Sequence, residues 1–114
     1  MRAALPYLQH ILDAIAAIEA YTTDGRAVFL RERKTQDAVI RNLEIIGEAI
    51  RNVPLDFQST HPEIPWREAS ALRNVLIHEY FGIDLKVVWA VVEKDLPPLK
   101  ASVLRAVGQI SSQA

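Results

Sequence analysis

Apolar residues recur at intervals of three and four along almost the whole chain, a spacing that restricts it to packed amphipathic helices. Leu8, Ile11, Ile15 and Ile18 form the first stripe and predict a helix over 4–21. Thr22-Thr23-Asp24-Gly25 reads as a stop and turn, with a short helix to follow around 27–30. Val39, Leu43, Ile46, Ile50 and Val53 form the second stripe. Thr35 is the expected cap of that helix, Asp37 suits the positive end of its dipole, and Pro54 ends it. Residues 54–65 hold Pro54, Pro62 and Pro65 and are expected to form a rigid loop, long for a small bundle. A fourth helix should begin near Trp66, with Pro65 at or just before its first turn, and run to about Tyr80 with Trp66, Ala69, Leu72 and Leu76 inward.

Beyond an interruption at Gly82, Asp84 is placed to cap another helix. In its first eight residues, 85–92, Lys86 is the only polar side chain. Such a density of Val suggests a strand, but no partner strand is evident. A helix over 85–96 that is apolar nearly all round is central, or buried in a dimer. Asp95, Pro97 and Pro98 read as a joint, because proline fits a first turn far better than an interior. Leu99, Val103, Val107 and Ile110 carry a last helix, and 111–114 read as a frayed tail. With no repeat and no low-complexity segment, the expectation is one all-α domain over 1–114, a bundle of about five or six helices.

Composition removes several functions. A chain of 114 residues supports a single modest core, and 50% hydrophobic residues exclude disorder. No apolar run is long enough to span a bilayer, and the N-terminus lacks the apolar core of a signal peptide. A cytoplasmic protein with no membrane partner is expected. Zero cysteines exclude disulfides, thiolate catalysis and Cys-based zinc sites. The glycines, at 25, 47, 82 and 108, form no phosphate loop. Gly47, in mid-helix, suggests a close helix approach. Histidines 10, 61 and 78 are too scattered for a metal site; His10 and His61 read as surface residues, and no metal or cofactor is expected. Trp66 and Trp89, at helical spacing among apolar neighbours, read as core packing.

The net charge of −1 argues against a protein that coats nucleic acid non-specifically. Between 26 and 51 lie Arg26, Arg31, Arg33, Lys34, Arg41 and Arg51, interleaved with Glu32, Asp37, Glu44 and Glu48. That mixture fits a solvated helix face better than a basic patch. Arg41, Glu44 and Glu48, on the polar side of the third helix, are nevertheless candidates to line a cleft.

One segment stands apart: Arg73-Asn74, then His78, then Tyr80. On a helix Asn74 and His78 share a face, and Arg73 reaches the same region through its long side chain. Phosphodiester cleavage needs these groups. A histidine gives or takes a proton near neutrality, an arginine grips phosphate oxygens, and an amide orients either. With an RNA 2′-hydroxyl as the attacking group, no metal is required. A second reading of the same spacing has His78 satisfying a helix-end carbonyl and Arg73 in a surface ion pair.

Three stretches resemble the HepT-like family of HEPN domains, the toxin halves of nucleotidyltransferase-linked toxin–antitoxin pairs. They are Ala38 to Ala49 (AVIRNLEIIGEA), Trp66-Arg67 to Leu72-Arg73-Asn74, and His78-Glu79-Tyr80-Phe81-Gly82-Ile83-Asp84. Val88-Trp89 and Asp95-Leu96-Pro97-Pro98-Leu99 extend the likeness over nearly the whole chain, and the motif is complete. The resemblance implies a helical homodimer in which two motif copies line one composite cleft. It also implies a metal-independent endoribonuclease, the toxin of a type VII-like system. The essential arginine and histidine of that family fall on Arg73 and His78, with Asn74 accessory. The tyrosine that receives AMP from the antitoxin, a minimal nucleotidyltransferase, falls on Tyr80. An alternative function is a non-catalytic helical subunit that binds nucleotide or substrate for a two-component nucleotidyltransferase. A third is a generic helical dimerisation module.

Overall fold

The computed structural model describes residues 2–71 and 84–113. A 3-10 turn at Arg2–Ala4 leads into α1 (Leu5–Tyr21), whose first turn carries Pro6, where a missing N–H leaves no helical bond unmade. The stripe read from the sequence is its buried face: Leu8, Ile11, Ile15 and Ile18 are all but inaccessible. Thr22 ends the helix by donating its hydroxyl to the Ile18 carbonyl at 2.7 Å. The chain then turns at Gly25, whose φ of 89° lies in the left-handed region. Nothing lies within 4 Å of a Cβ built there, so the turn needs glycine for its backbone and not for space.

α2 (Gly25–Arg31) is slightly longer than the sequence indicated, and α3 (Arg33–Asn52) begins earlier. The expected cap at Thr35 is corrected. Glu32 holds the cap position in extended backbone, and Thr35 lies inside the helix, buried, donating its hydroxyl to Glu32 Oε1 at 2.6 Å. Asp37 forms an exposed i,i+4 pair with Arg33 at 3.6 Å, a contact of little energetic weight. The second stripe, Val39 to Val53, is buried throughout, and Gly47 is buried among it.

The expected loop after Pro54 is also corrected, because it contains α4 (Leu55–Thr60). Pro54 occupies its cap position and Asp56 its first turn, which are ordinary helix-start features. Gln58 ties α4 to the end of α3 by donating to the Val53 carbonyl at 3.0 Å. His61, read as a surface residue, is buried. Its ring stacks on Phe57 with centroids 4.0 Å apart and lies 3.3 Å from the Gln109 side chain. Helix resumes at 66–71 (α5) immediately after Pro65, and the Trp66 indole donates to the His61 carbonyl at 2.9 Å. Ala69 faces inward as expected; Leu72, Leu76 and Gly82 lie outside the described residues.

Asp84 caps α6 (Leu85–Ala90) by accepting from the Lys86 N–H at 2.9 Å. No joint follows. A π turn (Val91–Asp95) carries the helix without a break into α7 (Leu96–Gln113), which also takes up 111–113 of the expected tail; Ala114 lies outside the described residues. Pro97 and Pro98 bring no N–H to the ladder, and the N–H of Leu96 reaches back five residues to the Val91 carbonyl. Phase gives the wide turn a second reason. Val88 and Leu96 are both buried, yet eight residues of ideal helix overshoot two full turns by about 80°. The wide turn absorbs that overshoot.

α1 packs chiefly on α3 and then on α7, while α2 bridges α3 and α6. Trp89 is half-buried against Phe29, ring centroids 5.4 Å apart, and Trp66 is half-buried against Phe57. No strand occurs among the described residues, and the fold is all-α. None of the described helices is long and apolar enough to cross a membrane.

Candidate functional site

The motif residues Arg73, Asn74, His78 and Tyr80 lie outside the described residues. The described part of the molecule contributes a cleft of about 420 Å³ between α1 and α3. α3 presents Arg41, Glu44, Ile45, Glu48, Ala49 and Asn52 to it. Their separations of three and four residues keep all six side chains on one helix face. The opposite wall is α1, through Tyr7 and His10, three residues apart. Both elements are fixed by the apolar stripes on their other sides, so the cleft is held by the core of the bundle. Of the lining residues, Ala49 is buried and Ile45 half-buried against the core, whereas Arg41, Glu48 and His10 are exposed.

The structure therefore brings together Arg41, Glu44 and Glu48, which the sequence had offered as cleft residues. Arg41 Nη1 lies 3.7 Å from Glu44 Oε2, with the two side chains 72% and 34% exposed. At that length and exposure the pair holds the guanidinium only weakly, and another anion can compete for it. Asn52 donates its amide to the Glu48 carbonyl at 2.9 Å, leaving its side-chain oxygen as an acceptor. Tyr7 and His10 meet edge to face, ring centroids 6.4 Å apart at 89°. Sequence reasoning placed neither aromatic ring in a cleft. Their i,i+3 spacing beside the Leu8–Ile11 stripe puts them on one flank of α1, but which helix faces that flank is a tertiary fact.

A second cleft of about 490 Å³ lies between 63–69 and α7, with Leu96, Leu99, Pro65 and Pro98 along it. Its charged side chains are Glu63, Glu68, Asp95 and Arg105, and its described lining holds no aromatic ring. The six basic side chains between 26 and 51 are all exposed, two of them against neighbouring carboxylates, as a solvated face of mixed charge would be.

Helices alone, with a polar and aromatic cleft set between two of them, define a small all-α domain suited to ligand binding or catalysis. The chain belongs to the HepT-like ribonuclease family: the family described as Ribonuclease HepT-like matches residues 11–106, a span that includes Arg73, Asn74, His78 and Tyr80. Among its relatives is a "Probable ribonuclease HepT" of Thermococcus cleftensis, 54% identical over 82% of this chain and 86% of that one. A "Putative RNase" of Caldanaerobacter subterraneus subsp. tengcongensis is 38% identical, over 90% of this chain and 93% of its own. A "Gamma-glutamylcyclotransferase and putative RNase" of Methanocaldococcus jannaschii is 47% identical over 91% of this chain. The chain spans about half of that relative, 47% of its length. No solved structure matches the chain.

Proposed function

We propose that this protein is a metal-independent endoribonuclease, the toxin of a pair whose antitoxin is a minimal nucleotidyltransferase. The observation that carries the reading is the family match over 11–106, which encloses a complete arginine–histidine–tyrosine motif. His78 moves the proton that leaves the attacking 2′-hydroxyl or joins the departing 5′-oxygen, a role worth about 10²- to 10⁴-fold in rate. Arg73 pairs with the phosphate oxygens and with the charge that develops on them, and Asn74 orients the ring or the phosphate. Two chains bring two copies of the motif to one composite cleft. AMP on Tyr80 sets bulk and a negative phosphate beside Arg73, which occupies the arginine and repels an RNA backbone.

Purified protein is expected to cut RNA in excess EDTA, and His78→Ala to lose cleavage with unchanged helical circular dichroism. Full cleavage by that variant would withdraw the assignment of His78. Co-expression with the nucleotidyltransferase should add one AMP to the intact mass of the wild type and none to Tyr80→Phe, which remains an active ribonuclease. AMP found on another residue would move the control site.

A further inference from the structure

We propose that the cleft between α1 and α3 is a nucleoside subsite, holding one unpaired base of a single-stranded RNA against Tyr7 and His10. This inference rests on the ribonuclease reading above and adds to it two residues outside the motif. A volume of about 420 Å³ falls in the range of small-ligand pockets and suits a base with its sugar.

The lining has the chemistry that recognises a splayed-out nucleotide, namely aromatic faces, a guanidinium and hydrogen-bonding groups for a base edge. Tyr7 and His10 stand perpendicular at 89°, so a base stacked on the face of one ring turns its own edge toward the other, and both arrangements are favourable. Arg41, 72% exposed and loosely paired at 3.7 Å, is placed at the same cleft to meet the flanking phosphate. Glu44 and the Asn52 side-chain oxygen accept from exocyclic amino groups, which favours an amino-bearing base over uracil. Ile45 and Ala49 give the base an apolar floor. A duplex keeps its bases stacked inside the helix and cannot place one in such a cleft.

The test is binding of a short, fluorescein-labelled, mixed-sequence single-stranded RNA with every 2′-hydroxyl methylated, which blocks cleavage and lets the wild type be used. His10 is exposed, so His10→Ala should fold normally. Tyr7 is half-buried, so Tyr7→Leu keeps its apolar bulk and removes the π face. Each variant is expected to weaken binding at least about fivefold, the lower end of what the loss of one stacked base costs. Tyr7→Phe, which retains the face, should bind as the wild type does.

Equal binding by wild type, Tyr7→Leu and His10→Ala overturns the subsite, and leaves the ribonuclease reading standing if the wild type still cuts RNA. Loss of binding in Tyr7→Phe overturns stacking as its basis. A wild type that neither binds this probe nor cuts RNA overturns both readings. Free AMP or GMP that binds as tightly as the oligonucleotide assigns the cleft to a mononucleotide and overturns an RNA subsite.

Discussion

His61 shows what one side chain contributes that its surroundings in the sequence conceal. Its Nδ1 lies 3.0 Å from the Thr60 hydroxyl and 3.1 Å from the Phe57 carbonyl, and its Nε2 lies 3.3 Å from the Gln109 side-chain oxygen. The ring also stacks on Phe57. Truncation to Ala leaves a hole beside Phe57 and removes the ring's contacts with Thr60 and Gln109. His61→Ala is expected to lower stability by about 1–3 kcal/mol while leaving RNA cleavage unchanged in the folded enzyme. Urea denaturation measures the first and a cleavage assay the second; a variant as stable as wild type would refute the structural role. A histidine flanked by Thr60 and Pro62 carries no local sign of burial, because its decisive partner comes from the last helix. Arg41, Glu44 and Glu48 were readable as one face because their spacing is local, whereas Tyr7 and His10 join that face only once α1 has docked on α3.

Among the elements, those with long regular stripes were legible and those without were not. α1 and α3 each spell out their buried face at intervals of three and four, and nothing in the tertiary structure overrides it. α4 is six residues long, too short to display a period, and three prolines in its neighbourhood outweigh the signals that start it. Pro54 at the cap and Asp56 in the first turn were both visible, and read together they favour a helix over a loop. The start of α3 shows a similar conflict. Thr35 is a good capping residue by type, but Glu32 and Arg33 begin the helix earlier and Thr35 spends its hydroxyl on Glu32. At 91–98 the prolines were correctly seen as unable to serve an α-helical ladder. The chain answers by widening one turn instead of breaking.

For the molecule as a whole, assembly turns on α6 and α7. Val87 is 54% and Leu104 49% exposed, Ala101 is exposed, and Val91 and Val92 are only half-buried. An apolar helix face of this kind is a surface on which a second copy of the chain can pack. Sedimentation at micromolar concentration is expected to give a dimer, and a stable monomer would remove the composite cleft from the proposed mechanism.

The π turn also separates chain length from helix phase. Elsewhere in the bundle, losing one residue swings everything beyond it by about 100° around the axis; removing Asn42 from α3 would turn Ile46 and Ile50 away from the core. At 91–95 the helix already carries one residue of slack, so a shortened turn winds as ordinary α-helix and still delivers Leu96 to the inside. Excision of the exposed Glu93, with Pro97 and Pro98 replaced by Ala so that no ring strikes the restored turn, should cost far less than removal of Asn42. Thermal melting of the two deletions side by side decides the matter, and equal losses would deny the turn this role. If the difference holds, single-residue changes in length can accumulate at this position without disturbing the face that either half of the helix presents.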